Sequence, residues 1–410
     1  MRGLGVLLVL FCNGILAAPW DFGTPVNVTL GSAPGVFTHL ESAGRKNIAV
    51  SDGWVAVIWE DNRDGNSRCY VALKQLANNV FSEPLKVSGS NESAEPAIVA
   101  IGVGRFALAW EEDGNIWARL LTVESAMTVS KLSDPVQLNT ASAMQVSLGH
   151  SKENGLYAAW SEQGISYKQI MLGKLALLPN DNIKLLAKIV VDKHVKGNQF
   201  YPSIAEISGN KTIVAWEDRH AGYTRLLYAE SQNLKTASAP RELNEYKERD
   251  KKFGSGLGTG VMRVALATQG RDGLVAIWED KRDFTSGYDI YAALANGPTV
   301  NFGANEKVQD EFGNTFAQWH PSIAANHDGH IVAVWDDDRE GSPDVWLSWR
   351  EAGRWSGDLA VPGASGAGVQ SDPSITMDDS GNLHLAWVEK MDLNGQSAIR
   401  YLFARLKQTK

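Results

Sequence analysis

Seven tryptophans in this chain each precede an acidic residue by one or two positions, and carboxylates held in pairs are the groups that hydrolyse glycosidic bonds. The stretches are GWVAVIWED, RFALAWEED, LYAAWSEQ, TIVAWEDR, LVAIWEDKR, IVAVWDDDR and LHLAWVEK, with the tryptophans at Trp59, Trp110, Trp160, Trp216, Trp278, Trp335 and Trp387. A catalytic group is needed once per pocket, whereas an acidic residue with a following arginine recurs in four of these stretches. Repetition therefore assigns the pairs to structure, the carboxylate accepting N–H bonds in a turn and the arginine bridging to a neighbour. The tryptophans, at the ends of apolar runs, read as packing. Residues that occur once are the better candidates for binding: Arg45, Tyr201, His220, Trp319 and His320, with Asp61 in the acidic loop of the first repeat. A lyase would instead need a His or Tyr base with a cation beside a uronate. Zinc-ligand spacing is absent, His327-Asp328-Gly329-His330 being simpler as a hairpin turn. Neither a Walker nor a Rossmann signature stands between a strand and a helix, since GSGLGTG at 254–260 has no flanking helical pattern. No metal and no cofactor is called for.

The elements that must position these residues follow from the repeat. Consecutive tryptophans lie 50 to 62 residues apart, and the stretch from Trp319 to Val361 displays one unit: a short strand after Pro321, an Asp-Gly turn, the strand IVAVW, an acidic loop, the strand VWLSW, and a fourth strand near Val361. Four short strands joined by tight turns make one antiparallel sheet, and a unit that cannot bury both faces alone must stack on its neighbours. The expected fold is all-β, a seven-bladed β-propeller of four-stranded antiparallel blades, with six blades as the alternative. Residues 20–30 look like a lone outer strand and the last repeat supplies only three, so the N-terminal strand is expected to complete the C-terminal blade near Ile399 to Arg405 and leave no open edge. Blade three is the least regular: the stretch LGKLALLPNDNIKLLAKIVV reads as paired strands or as containing a helical turn. The charged, then glycine-rich NEYKERDKKFGSGLGTG reads as a surface loop or a flap beside a pocket. In such a ring the acidic loops and the segments before the inner strands surround one mouth of the central channel.

Residues 1–18 read as a signal peptide, one basic residue followed by an apolar run and small residues at Ala17 and Ala18, and residues 19–410 as a single propeller domain. The apolar run is short for a membrane span, so no membrane insertion is expected after cleavage, and the protein is expected to be secreted or periplasmic. Cleavage would leave Cys69 as the one cysteine and thus no intrachain disulfide. It would also remove Arg2, making the net charge of −8 one unit more negative. That balance argues against nucleic acid as a partner. A monomer is expected.

The repeat as written, Pro-Ser-Ile-Ala, Asp-Gly, Val-Ala-Val-Trp-Asp-Asp-x-Arg-x-Gly, Asp-Val-Trp, resembles the sialidase-like (BNR-repeat) propeller superfamily over nearly the whole mature chain. Sialidases of that superfamily use an arginine triad, an aspartate acid/base and a tyrosine nucleophile paired with a glutamate. The resemblance implies that Arg45 stands where the first-blade arginine precedes the inner strand, and that Asp61 or Asp64 lies where the acid/base is expected. The hairpin Ser-x-Asp-x-Gly-x-Thr-Trp is nowhere intact, Gly353-Arg354-Trp355 being its nearest remnant, and no tyrosine matches the nucleophile. The resulting reading is a propeller binding module for glycan or a protein partner. Its alternative is a carbohydrate-active enzyme, a sialidase-like glycosidase or a polysaccharide lyase.

Overall fold

Each tryptophan stretch is a run of apolar residues without polar alternation, the pattern of a strand buried on both faces. Ile331–Asp337, for example, is buried at every position. In the computed structural model these strands are the second of seven antiparallel sheets. The structure describes residues 17–29, 35–40, 44–123, 130–220, 222–245, 260–282, 287–297, 299–313, 315–391 and 396–408. Blade six sets the pattern, running outward from Gln318–Ala325 through Ile331–Asp337 and Asp344–Glu351 to the short edge pieces Arg354–Trp355 and Leu359–Ala360. Its first hairpin closes at Gly329, whose φ of 92° only glycine adopts without strain. Blade three follows suit: the stretch open to a helical reading forms the paired strands Lys168–Leu177 and Ile183–Val190.

Seven apolar clusters hold the ring, one at each junction between blades, and each is organised by one of the seven buried tryptophans. Trp110 packs against Ala56 and Ile58 of blade one, Trp160 against Ala107 and Ala109 of blade two, and Trp216 against Tyr157 and Ala159 of blade three. The same contact recurs for Trp278, Trp335 and Trp387 on the blades before them. Trp59 completes the circle by packing against Ala386 and Tyr401 of blade seven. Indoles fully withdrawn from solvent in this way are packing groups, as their repetition implied.

Blade seven is closed by the N-terminal segment. Trp20–Phe22 pairs with the strand Ser397–Leu406, with Trp20 opposite Leu406 and Phe22 opposite Ala404. Val26–Asn27 then pairs with Tyr401 and Arg400. The interruption falls at Pro25, which has no N–H to give the ladder. The Trp20 indole donates to the Gly381 carbonyl at 2.8 Å, fixing the strand from its side chain as well. The leader assigned to residues 1–18 lies almost entirely outside the described residues, as does the loop over 246–259.

Candidate functional site

The residues that follow each tryptophan divide into two rings. The carboxylate two positions after the indole turns back onto it: Asp61, Glu112, Glu162 and Asp280 accept the Nε1–H of Trp59, Trp110, Trp160 and Trp278 at 2.7 to 2.9 Å. Where an arginine stands two residues further on, it binds the same carboxylate, Arg63 to Asp61, Arg282 to Asp280 and Arg339 to Asp337. Blade four varies the corner, His220 taking the arginine's place against Asp218. His220 is therefore the fourth member of a repeated position and not a single occurrence. Asp61 is fully buried and committed to Trp59 and Arg63. Asp64 turns toward the third and fourth strands of blade one, accepting from the Tyr70 hydroxyl at 2.8 Å and pairing with Lys86.

The inner ring is made by a β-bulge. In blades two to seven the inner strand shifts register opposite the tryptophan, and one residue is left over at positive φ: Glu95, Gln145, Tyr201, Arg263, His320 and Asp372, at 50° to 62°. Side chains other than glycine rarely adopt that conformation, and it persists where surrounding contacts over-determine it. The contact is here a hydrogen bond to an acid of the previous blade. The N–H of Glu95 donates to Glu60 at 2.9 Å, Arg263 to Glu217 at 3.0 Å, His320 to Glu279 at 2.8 Å and Asp372 to Asp336 at 3.2 Å. Gln145 donates likewise to Glu111. The acid directly after each tryptophan is thus a latch between blades, which explains most of the acidic repetition.

The latch is missing twice, after Trp160 and Trp387, where Ser161 and Val388 replace the acid. The bulge residue facing Ser161 is Tyr201, whose N–H is taken by Gln145 at 3.0 Å; the blade that follows Val388 is blade one, which has no such bulge among its described residues. Blade one is different again, because its inner strand is split into Thr38–His39 and Ile48–Ser51 by inserted residues. The insertion reaches across the channel. The Gly44 carbonyl accepts from Ser147 of blade three at 3.0 Å, and a Cβ on Gly44 would lie 2.6 Å from Ser203 of blade four and 2.7 Å from the Val264 carbonyl of blade five. Only glycine fits there. The next residue, Arg45, consequently stands near the axis, its guanidinium 2.8 Å from Glu95 and 5.6 Å from the centre of the Tyr201 ring. Arg263 covers Tyr201 at 4.4 Å, and Trp319 leans on Tyr288 with ring centres 4.6 Å apart. Arg45, Tyr201, Trp319 and His320 therefore gather at one mouth, while Asp61, Asp64 and His220 belong to the outer corners.

Two groups of charges define the chemistry of this mouth. Glu95 and Glu111 are hydrogen-bonded to each other. Burial, then the bond to Glu95 and its charge, pushes Glu111 up to about 9, so it carries a proton at neutral pH. Burial opposes the charge of Glu95, but Arg45, the bond with Glu111, Arg263 and His39 together hold it below the usual carboxylate range. The second group joins blades one, seven and six: His39 lies 3.6 Å from Asp372, Asp372 lies 3.6 Å from His320, and His320 lies 2.7 Å from Asp336. Burial disfavours a charged His320, yet Asp336, Asp372 and Glu279 raise it to about 10. Asp372 in turn falls to about 2, the contacts with His39 and His320 outweighing its burial. Among the described residues no group of three or more His, Cys, Asp or Glu side chains is arranged to hold a metal ion.

Glu95, Glu111, Arg263, His39, Asp372 and Tyr288 were not singled out from sequence. A signal for some of them was present: Glu95-Pro96, Tyr201-Pro202, His320-Pro321 and Asp372-Pro373 place the bulge residue directly before a proline, where the helical region is disfavoured.

No family model matches the chain, and no curated protein does. Among solved structures, a Dyadobacter fermentans protein of unknown function matches with a TM-score of 0.54 at 11% identity, over 95% of this chain and 100% of that one. A variant α-L-arabinofuranosidase from Fusarium graminearum, in complex with an iminosugar inhibitor, matches with 0.51 at 12% identity, over 75% and 91%. A puromycin-hydrolysing peptidase of Mycobacterium tuberculosis matches with 0.50 at 13% identity over 89% of this chain, which spans 52% of it. At such identities the likeness is one of fold. The class is therefore a seven-bladed β-propeller closed by its N-terminal strand, with a charged mouth plugged by the Gly44 segment.

Proposed function

We propose that this propeller is a carbohydrate-active enzyme that hydrolyses glycosidic bonds at the Arg45 mouth, in preference to the binding module that the sequence alone favoured. The observation that carries the reading is the Glu95 and Glu111 pair. One carboxyl driven to hold its proton and a second held ionised by Arg45 are the proton assignments such a hydrolase needs, and the pair must part from contact to a separation of about 5–9.5 Å to flank a glycosidic bond. Both are partly exposed at the mouth, unlike the latch acids Glu217 and Glu279, which are buried. In the proposed reaction Glu111 donates its proton to the glycosidic oxygen as the bond to the anomeric carbon breaks. The Glu95 carboxylate meets the developing positive charge on the sugar, directly or by deprotonating the attacking water. The sugar displaces the contact between the two acids as it enters. Support of a weaker kind comes from the fold, on which an α-L-arabinofuranosidase is built in F. graminearum. Of the sialidase-like features, Arg45 is positioned for ligand contact but is already paired with Glu95.

The test is a screen of aryl glycosides, 4-nitrophenyl α-L-arabinofuranoside among them, and of plant and microbial polysaccharides, with wild type, Glu111→Gln and Glu95→Gln. Turnover that falls at least about 100-fold in Glu111→Gln supports the assignment. Sugar binding without turnover in wild type would return the protein to the binding-module reading. We also propose export, residues 1–18 being the leader; N-terminal sequencing of protein recovered outside the cytoplasm checks it.

A further inference from the structure

The carboxyl pair occupies blade two, and the opposite side of the same mouth has a different character. Blades four to six present Tyr201, Tyr288 and Trp319, each half-buried. None of the three is loosely held. Tyr201 is fixed by its bulge conformation and by Arg263 over its ring at 4.4 Å. Trp319 precedes the latched His320 and packs on Tyr288 at an interplanar angle of 45°. Tyr288 is approached by Gly260 so closely that a Cβ there would lie 2.9 Å from its hydroxyl. Aromatic rings fixed in this way offer apolar area at little cost in conformational entropy. Arg45 measures the gap to the carboxyl pair, since its guanidinium touches Glu95 and also lies 5.6 Å from the Tyr201 ring centre.

A sugar ring has an apolar C–H face and a rim of hydroxyls, so it matches a surface with aromatic faces on one side and hydrogen-bonding carboxyls on the other. Charge narrows the class. Glu60, Glu95, Asp372, Glu217 and Glu279 surround the mouth, and Arg45 is already paired with Glu95. The cations of the mouth are already engaged, Arg45 with Glu95, His320 with Asp336 and Asp372, and Arg263 over the Tyr201 ring, so an added carboxylate would have to displace one of these pairings. We propose that Tyr201, Tyr288 and Trp319 form a stacking wall that seats a neutral sugar residue against the carboxyl pair, a subsite that rests on the glycosidase reading.

The test is isothermal titration of wild type and of Glu111→Gln, Trp319→Ala, Trp319→Phe and Tyr288→Ala with arabinobiose, galactobiose, cellobiose and digalacturonate. Near-ultraviolet circular dichroism verifies each fold. At least one neutral disaccharide is expected to bind wild type, with Trp319→Ala weaker by about tenfold or more, equivalent to about 1.4 kcal/mol. Trp319→Phe, which keeps a flat ring, should retain most of the affinity. Neutral-sugar binding within twofold of wild type in both alanine variants would overturn the wall, as would digalacturonate binding tightest or no neutral disaccharide binding at all. The two proposals fail separately. Turnover abolished by Glu111→Gln but indifferent to Trp319→Ala leaves the hydrolase without this wall, and binding lost in Trp319→Ala with no turnover in wild type leaves the wall without the hydrolase.

Discussion

Replacing Asp61 with alanine separates a structural carboxylate from a functional one. Its side chain is fully buried, accepts the Trp59 indole N–H at 2.8 Å and the Arg63 backbone N–H at 3.1 Å, and pairs with the Arg63 guanidinium. The substitution strands a buried indole donor, which costs about 1–3 kcal/mol. The Arg63 contribution is discounted because that side chain is about a third exposed to solvent, leaving about 1 kcal/mol. A total near 3 kcal/mol follows. Unfolding entropy of about 2 cal/mol/K per residue over a chain of 410 residues converts this to a fall of roughly 3–4 °C in Tm. Asp64→Ala is the control: that carboxylate is half-exposed and its pair with Lys86 is at the surface, although the Tyr70 hydroxyl it accepts from belongs to a buried ring, so about 1 kcal/mol is expected. Differential scanning calorimetry of both variants measures the contrast. Equal shifts, or an Asp61→Ala protein that melts with wild type, would refute the role assigned to the tryptophan corner. A variant that keeps its stability but loses turnover would return Asp61 to the catalytic machinery.

Removing residues 17–29 should lower Tm by many degrees and promote self-association, because the strand Ser397–Leu406 would be left as an open edge; analytical ultracentrifugation with calorimetry reads both. Because the raised Glu111 keeps its proton in the folded state while the unfolded carboxyl releases it near its ordinary value, the contribution of this group to stability is full at low pH and lost as pH rises toward about 9. Glu111→Gln should accordingly flatten the decline measured by denaturant titration across that interval. For turnover, kcat/KM should fall on the alkaline side as Glu111 ionises and on the acid side, below the usual carboxylate range, as Glu95 takes up a proton; the alkaline limb should vanish in Glu111→Gln. Thermal stability should not respond to reductant, since Cys69 is buried and free; a drop on adding dithiothreitol would contradict this.

Most of the fold was legible because the tryptophan period records it. Apolar runs ending in Trp, Asp-Gly turns, a lone strand at the N-terminal end and a last repeat one strand short are local signals, and together they specify seven sheets closed on themselves. The site was legible only in part. Arg45, Tyr201, Trp319 and His320 could be placed at the mouth from their positions before inner strands, whereas His220 was misjudged as unique because the motif was aligned on Asp and Arg without counting from the tryptophan. Counting two and four positions onward puts His220 in register with Arg63, Arg282 and Arg339. The pairing of Glu95 with Glu111 was not readable, since it depends on a bulge that turns one side chain toward the acid on the neighbouring strand of the same blade.

Repetition was taken to mark structure and singularity to mark function, and the inner ring shows where that rule needs refining. Glu111 is both at once: its carboxylate latches Gln145 like the other acids after a tryptophan, and only the neighbouring bulge residue makes it unusual. Blade two alone puts a carboxylate at the bulge beside such an acid still open to the mouth; Asp372, the other acidic bulge residue, follows Ser371, whose partner is Val388 and not an acid, and is neutralised by His39 and His320. The functional signal therefore lies in the combination of two repeated positions. Arg45 is where that combination is stabilised, because the Gly44 crossing brings a cation from blade one to the one carboxylate of the pair that must stay ionised. Substituting Gly44 should on this argument damage the site without touching any of its charged groups.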